Sequence, residues 1–347
     1  MTPIVDLITL NGDALTRGIQ HGQQRRLALQ AFANDGLCRL NQLSNTSHSL
    51  QNLASTISAY RSQVETWLPD LAQEVEGLAI GASLSSDLAW LLQLRREVIG
   101  YSCITAGDCT TLSSLKGVRL LAQTVDLNGN LDDFISVLDC QGPRYRSLLL
   151  SFAGLLGYLG LNNAGLAVGL NLVLGGNWGI GVPPYLVIRH LLDNCVSVEQ
   201  ALEELNRIPL SSSRSFTLCD KHRAICVESL DNQLRIVEDG IVTTHTNHFL
   251  HVDFILRDKI NIFAKNSSLH RLEIARMLTN KERIDVEDCF TLFAKPPIYV
   301  GNNGDMRRER TISVVVMLPE QGVMLLRPGN PSLTPTQRYS LPSYIHQ

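Results

Sequence analysis

The sequence predicts an α+β protein in which antiparallel sheets pack together and helices cover their outer faces. Two observations support this expectation. The chain up to Ile99 repeats its apolar positions at helical spacing. From Cys109 onward the spacing is that of strands, and pairs of helices separate the blocks of strands.

The first part of the chain reads as one short strand followed by helices. Gly18 and Gly22 lie inside a helical pattern, where glycine costs about 1 kcal/mol relative to alanine, so we expect them to allow close packing. His21 is interpreted as a helix histidine that is hydrogen-bonded by a neighbour. The predicted elements are a strand from Val5 to Leu10 and helices over Ala14 to Leu43, Ser47 to Trp67, Pro69 to about Ala79, and Asp87 to Ile99, the last capped by Ser85 or Ser86.

After Cys109 the pattern predicts antiparallel strands. A hairpin around Lys116-Gly117 joins the first two, Thr110 to Ser114 and Val118 to Gln123. Further strands are predicted at Ile135 to Cys140, Tyr145 to Phe152, Ala167 to Leu174, Ser215 to Cys219, Ala224 to Ser229, Leu234 to Glu238 and Gly240 to His245, with a last hairpin over Thr311 to Arg327. Helices are predicted at Pro183 to Cys195, Ser197 to Ile208, Leu269 to Leu278 and Val286 to Phe293.

The composition is that of a globular protein of 347 residues, 44% apolar and 18% charged. A net charge of −3 gives no reason to expect nucleic acid or an anionic membrane as a partner. The N-terminus lacks the pattern of a signal peptide, and the apolar runs are too short to span a bilayer. Eight scattered cysteines without a Cys-x-x-Cys pair favour reduced thiols in the cytoplasm and argue against zinc. We expect no metal and no cofactor.

Cys109 stands at the start of the first predicted strand, directly after Gly107-Asp108. If the Asp108–Cys109 bond were cut, the thiol and a new α-amino group would sit on one residue, and the amine could accept the proton of the thiol. Their ordinary pKa values, roughly 8 and 8.5, permit this exchange near neutral pH. The alternative is that Cys109 is a buried, inert cysteine.

Several blocks of the sequence, in order and spanning nearly the whole chain, together resemble one family. They are Arg17 to Gly22, Leu68 to Ala79, Gly107 to Thr110, Gln123 to Asp126, Gly160 to Leu166, Thr246 to Phe249, and Arg310 to Ser313. The family is the peptidase C45 group, which is similar to the acyl-coenzyme A:6-aminopenicillanate acyltransferase precursor. Asp108 departs from it, because the family usually has glycine before the nucleophile.

The resemblance implies the N-terminal nucleophile fold, a four-layer αββα sandwich, made as a precursor that cuts itself before Cys109. Residues 1–108 would then be a mainly helical pro-segment and residues 109–347 the catalytic chain, together forming one compact unit. The implied activity is hydrolysis or transfer of the acyl group of an amide or thioester through an acyl-Cys109 intermediate. Acyl-coenzyme A would be a substrate and not a cofactor. The expected partners are the small-molecule substrate, the cleaved N-terminal chain and a second copy in a homo-oligomer.

Four further residues are candidates for this chemistry, and each also has a structural interpretation. Asn247 and Asn162 would donate to the oxyanion, or else satisfy the backbone of a turn. Asp126 would orient the ammonium group of Cys109, or else belong to a turn. Arg310 resembles a late arginine that lies near the nucleophile or the substrate carboxylate, or else is a solvated charge.

Three histidines, His245, His248 and His251, are close in sequence but do not predict a zinc site. On an extended strand His245 faces away from His248, and no cysteine or carboxylate pattern accompanies them. Two other functions stay open beside the leading one. One is an amidase similar to choloylglycine hydrolases, and the other is an unprocessed, catalytically silent binding protein of the same fold.

Overall fold

The computed structural model describes residues 4–100 and 109–342. Within them two sheets pack face to face, and helices cover the outer face of each sheet. The predicted αββα sandwich and the mainly helical N-terminal segment are therefore confirmed.

The helices and strands have the following bounds. The strands are β1 Asp6–Leu10, β2 Thr111–Ser114, β3 Leu120–Leu127, β4 Ile135–Gln141, β5 Arg146–Phe152, β6 Leu159–Asn162, β7 Ala167–Leu172, β8 Arg214–Cys219, β9 Ala224–Leu230, β10 Gln233–Asp239, β11 Val242–His245, β12 Arg310–Leu318, β13 Val323–Pro328 and β14 Gln337–Ser340. The α-helices are α1 Ala14–Gln24, α2 Arg26–Asn34, α3 Leu40–Leu43, α4 Leu50–Trp67, α5 Pro69–Ala82, α6 Ser86–Ile99, α7 Pro184–Asn194, α8 Val198–Arg207, α9 Val252–Ile255, α10 Ile262–Arg276 and α11 Val286–Phe293.

The two sheets differ in how they are built from the chain. Across the described residues, the larger sheet has the order β1-β4-β5-β6-β7-β8-β9-β10 and the smaller has β11-β2-β3-β12-β13-β14. Strand β1, from the N-terminal segment, lies at one edge of the larger sheet and pairs in parallel with β4. The predicted hairpin of β2 and β3 lies inside the smaller sheet, between β11 and β12.

Helices α1 and α5 pack at very close range because glycines face each other. A Cβ atom added to Gly18 would lie 2.0 Å from the carbonyl oxygen of Glu74, and one added to Gly77 would lie 2.2 Å from that of Leu15. Gly22 is equally tight against α5, where a Cβ would meet backbone atoms at 2.5 Å. No side chain fits at such distances, so the predicted role of Gly18 and Gly22 in close packing is confirmed.

A buried network of charges connects this helix pair to α7. Glu74 accepts hydrogen bonds from Arg17 of α1 and from Arg189 of α7, and Arg189 also bonds to Asp193. The side chains of Glu74 and Arg189 are completely buried. Removing one member would leave an uncompensated buried charge, which costs about 3–5 kcal/mol.

Several sequence predictions need correction. The helix predicted over residues 14–43 is three helices, because Arg25 leaves the helical conformation and the residues from Gly36 to Arg39 all have positive φ. Helix α10 starts at Ile262 rather than Leu269, with Asn261 capping it. Strands β6 and β14 were not predicted at all; both are only four residues long.

His21 also differs from its prediction. It is fully buried, and its ring nitrogens form no hydrogen bond with any described residue. Burial lowers the pKa of its imidazole to about 4. His21 is thus a neutral packing residue between glycines rather than a hydrogen-bonded one.

Candidate active site

Cys109 lies two residues before β2, lines a cleft and is only 5% exposed. Its thiol donates to the carbonyl oxygen of Asp126, with an Sγ–O distance of 3.6 Å, and its Sγ lies 3.8 Å from the hydroxyl oxygen of Tyr158. Burial, and next the charge of Asp126, raise the pKa of the Cys109 thiol to about 12. In the intact chain the sulfur is therefore a protonated, weak nucleophile at neutral pH.

The β2–β3 hairpin brings Asp126 to this thiol. Thr111 pairs with Gln123, so the strand that starts after Cys109 runs back past it as β3. The Thr124 hydroxyl accepts from the amide of Thr110 at 2.9 Å and donates to the carboxylate of Asp126 at 3.1 Å. Asp126 is only 3% exposed and is held beside the cysteine by this chain of hydrogen bonds.

Asn247 follows β11 and lines the same cleft as Cys109. Its Nδ2 donates to the carbonyl oxygen of Leu172 at 2.9 Å, and its Oδ1 accepts from Nη2 of Arg271 at 2.9 Å. Because Oδ1 is held by a cation, the amide can have only one orientation. One hydrogen of Nδ2 is used by Leu172, and the amide carries a second one that a substrate oxyanion could accept.

Arg271 is a residue that the sequence reasoning missed. It is completely buried in α10 and connects the nucleophile to the amide donor. Its Nη1 donates to the carbonyl oxygen of Cys109 at 2.8 Å, while its Nη2 donates to Asn247. Asn171 donates a second hydrogen bond to the same Cys109 carbonyl at 3.0 Å. A signal existed in the sequence: Arg271 falls on the buried stripe of its helix, between Ser268 and Ala275, where a charge needs a partner.

The cleft that Cys109 lines has a cavity volume of about 80 Å³. Tyr158 and Tyr185 stack on its wall with ring centroids 5.3 Å apart. The rest of that wall is largely aliphatic and aromatic, and helix α6 forms another side. The apolar lining residues are Leu92, Ile99, Leu127, Leu131, Phe152, Leu155, Leu170 and Leu172. A lining of this kind suits a mostly apolar ligand.

The structure does not bring Asn162 or Arg310 to this cleft. Both amide hydrogens of Asn162 go to the carbonyl oxygens of Leu192 and Cys195 at the end of α7, and its Oδ1 accepts from the backbone of the following turn. It satisfies backbone groups, and the prediction that it donates to an oxyanion is not supported by its position. Arg310 forms an ion pair with Asp132 and is not among the residues that line the cleft.

All three clustered histidines have partners of their own, and that of His251 is the backbone amide of Asp253, which donates to its Nδ1 at 3.2 Å. His245 contacts Glu228 through Nε2 at 2.9 Å, and His248 contacts Ser268 through Nδ1 at 2.8 Å. Across residues 4–100 and 109–342, no group of three or more His, Cys, Asp or Glu side chains is placed to hold a metal ion. In the same ranges no helix combines the length and the apolar character needed to cross a bilayer. Asp108, on the far side of the predicted cleavage site, lies outside the described residues.

A thiol, a carboxylate beside it, a fixed amide and an apolar cleft are the groups that acyl transfer through a cysteine requires. Together with the αββα layers, they place the chain in the N-terminal nucleophile class of folds. The family model described as acyl-coenzyme A:6-aminopenicillanic acid acyl-transferase matches residues 114–333. This chain belongs to that family. The match begins shortly after Cys109 and includes Asp126, Asn247 and Arg271.

A curated relative agrees with this assignment but is distant. The 40 kDa form of acyl-coenzyme A:6-aminopenicillanic-acid-acyltransferase from Emericella nidulans is 28% identical over 190 residues, which is 52% of this chain and 52% of that protein. The matched part thus spans about half the length of this relative.

Three solved structures are similar to the chain at low identity. A mutant of conjugated bile acid hydrolase from Clostridium perfringens has a TM-score of 0.47 and 13% identity, over 69% of this chain and 99% of its own. Penicillin V acylase from Agrobacterium tumefaciens has a TM-score of 0.47 and 14% identity, over 67% and 86%. The Caenorhabditis elegans orthologue of N-acylethanolamine-hydrolyzing acid amidase has a TM-score of 0.46 and 14% identity, over 67% of this chain and 100% of its own. At TM-scores this low, these three likenesses carry no argument.

Proposed function

We propose that this protein is a self-cleaving cysteine enzyme that hydrolyses or transfers the acyl group of an amide or thioester. The observation that carries the proposal is the position of Cys109 beside Asp126 in an apolar cleft that Asn247 also lines. Family membership supports the same chemistry. The proposed site residues are Cys109, Asp126 and Asn247, and the proposed cleavage site is the Asp108–Cys109 bond.

The reaction would proceed in two steps. The freed α-amino group of Cys109 accepts the proton of the thiol, and the sulfur attacks the substrate carbonyl to form a C–S bond. The Asn247 amide donates to the resulting oxyanion, the C–N bond breaks, and the leaving amine takes the proton. Water or a small amine then attacks the acyl-Cys109 thioester while the α-amino group takes its proton, and the C–S bond breaks to release the acid or the new amide as the sulfur recovers that proton.

Self-cleavage is necessary in this scheme because of the state of the thiol in the intact chain. There the nitrogen of Cys109 is a peptide nitrogen, which cannot accept a proton, and burial keeps the thiol protonated with a pKa of about 12. An unprocessed chain would therefore be the silent binding protein that forms the second candidate function. Processing decides between the two.

The test is the intact mass of purified protein. Cleavage before Cys109 gives chains of 108 and 239 residues, about 12 and 26 kDa by their share of 38.4 kDa. The larger chain should begin Cys-Thr-Thr-Leu. Cys109→Ala should remain at 38.4 kDa and lose turnover, whereas Cys289→Ala, a change at another completely buried cysteine, should be cleaved normally. Active wild-type protein that remains a single chain would refute the proposal.

Location and partners are part of the same proposal. The scattered cysteines, without paired spacing, support reduced thiols and a cytoplasmic location. The partners would be the acyl substrate and the cleaved N-terminal chain, with a homo-oligomer to be tested by light scattering.

A further inference from the structure

Helix α6 places two adjacent arginines, Arg95 and Arg96, in the wall of the cleft that contains Cys109. Both are partly buried. Within the described residues neither forms an ion pair with a carboxylate, although Asp126 and Glu309 line the same cleft. The proposed acyl chemistry does not use either arginine.

Arg95 is held firmly without being neutralised. Its Nε donates to the carbonyl oxygen of Cys38 at 2.8 Å, and its guanidinium lies 4.8 Å from the centre of the Phe32 ring. A guanidinium has five N–H donors. In the described part of the chain, the four on its Nη atoms donate to no acceptor. The side chain is therefore oriented in advance, and no described residue accepts from its planar donor edge.

Among the charged side chains that act on the pKa of Arg95, Arg39 and Arg96 are cations. Burial is the main cause that lowers the pKa of Arg95 to about 10; Cys38 and Tyr185 oppose this shift, and the cations Arg39 and Arg96 add to it. Arg39 itself is paired with Asp35. A cation removed from water and placed beside other cations is costly unless an anion joins it.

The ligand that fits this cleft needs both an apolar body and an anion. The same cleft is lined by Tyr158, Tyr185, Phe152 and several leucines, which suits a hydrocarbon or aromatic acyl group. Guanidinium groups match the planar geometry of a carboxylate, with which they form short, charge-assisted hydrogen bonds.

We propose that Arg95 and Arg96 bind a carboxylate of the substrate, so that the enzyme selects acyl amides that carry a free acid. The inference rests on the proposed function and specifies its substrate class. The carboxylate can belong to the amine part or to the far end of the acyl part, and the two arrangements share the same recognition chemistry.

Two matched pairs of amides test the inference and distinguish these sources. N-decanoylglycine is compared with N-decanoylglycinamide, and sebacic acid monomethylamide with decanoyl methylamide. We expect kcat/KM for the acid of at least one pair to exceed that of its neutral partner by about ten- to a hundredfold, the value of one or two charge-assisted hydrogen bonds. The preference should weaken with salt, because the cleft is open to solvent.

The same ratio is then measured in variants. Arg95→Gln and Arg96→Gln should each reduce it towards one. Arg96→Gln is the safer variant, because Arg96 forms no hydrogen bond with a described residue that its loss would break. Arg207→Gln, at the end of α8 with a side chain 54% exposed, is the control and should keep the wild-type ratio.

Calorimetric binding of the four amides to wild-type protein separates the two proposals. Absence of turnover for all four amides would count against the proposed function. Equal binding and equal kcat/KM for acid and neutral partners in both pairs would overturn the carboxylate site, as would an acid preference that survives in both arginine variants.

Discussion

Replacing Asn247 with alanine removes a side-chain amide whose nitrogen and oxygen both form hydrogen bonds. Its Nδ2 donates to the Leu172 carbonyl and its Oδ1 accepts from Arg271, each at 2.9 Å. The substitution leaves both partners buried and unsatisfied, at about 1–3 kcal/mol for each group. We therefore expect the free energy of unfolding to fall by about 2–6 kcal/mol whether or not Asn247 takes part in catalysis.

If Asn247 is also catalytic, the alanine variant should lose activity as well as stability. If the remaining hydrogen of Nδ2 donates to the oxyanion, Asn247→Ala should lower kcat by roughly a hundred- to a thousandfold, about 3–4 kcal/mol in activation free energy. KM should change much less, because the oxyanion exists only near the transition state.

Asn247→Asp separates the two effects. The carboxylate can still accept from Arg271, now as an ion pair, so most of the stability should be kept. Its other oxygen would face the Leu172 carbonyl and the developing oxyanion, both of which repel it. We expect kcat to fall at least as far as in the alanine variant while the melting temperature changes less.

The assay is kcat and KM of fully processed protein, together with thermal unfolding of each variant. Uncleaved protein is identified by mass and removed first, because the same donor can serve self-cleavage. A melting temperature that falls while kcat of the surviving alanine variant stays near the wild-type value would refute the oxyanion role.

Three other predictions concern Arg271, the close packing of α1 and α5, and the buried His21. Arg271→Lys keeps the charge, but a lysine cannot reach both Cys109 and Asn247. In steady-state kinetics kcat should therefore fall about tenfold with little change in KM. If Arg271 were purely structural, the substitution would change only the melting temperature. Gly77→Ala places a Cβ 2.2 Å from a backbone oxygen and should cost about 3 kcal/mol or more in urea unfolding, whereas the control Gly179→Ala meets no atom within 4 Å and should cost little. His21 has a folded pKa of about 4, below the 6.5 of an exposed histidine, so its contribution to stability is present above pH 6.5 and is lost as the pH falls towards 4. His21→Leu should remove up to about 3 kcal/mol of that dependence in pH-jump unfolding, and a slope equal to that of the wild type would show that His21 does not titrate in this way.

The sequence predicted those features that depend on local pattern. The change from helical to strand spacing at Cys109, the Lys116-Gly117 hairpin and the cap at Ser85 all reflect interactions within a few residues, and the structure has them. The glycine pair in α1 was also readable, because glycine inside a helix needs a compensating contact.

The features that were missed depend on contacts between distant parts of the chain. Arg271 is 162 residues from Cys109, and only the packing of α10 against the smaller sheet joins them. Asn162 is the opposite case. Its Asn-Asn-Ala-Gly context is compatible with an active-site residue or with a turn. Its hydrogen bonds to carbonyl oxygens at the end of α7 show that it supports the backbone there. Arg95 falls on the apolar face of α6 in the sequence pattern, but only the structure shows that it lies over Phe32 and lines the cleft of Cys109.

The position of β1 has a consequence for the mature enzyme. If the chain is cut before Cys109, the first 108 residues still supply an edge strand of the larger sheet, the wall of the cleft on α6, and Glu74, whose partner Arg189 belongs to the other product. The released piece is then a permanent subunit and not a disposable leader. Separating the two chains would require breaking a buried ion pair and opening the sheet edge, so activity should be independent of dilution, and neither chain expressed alone should reproduce it.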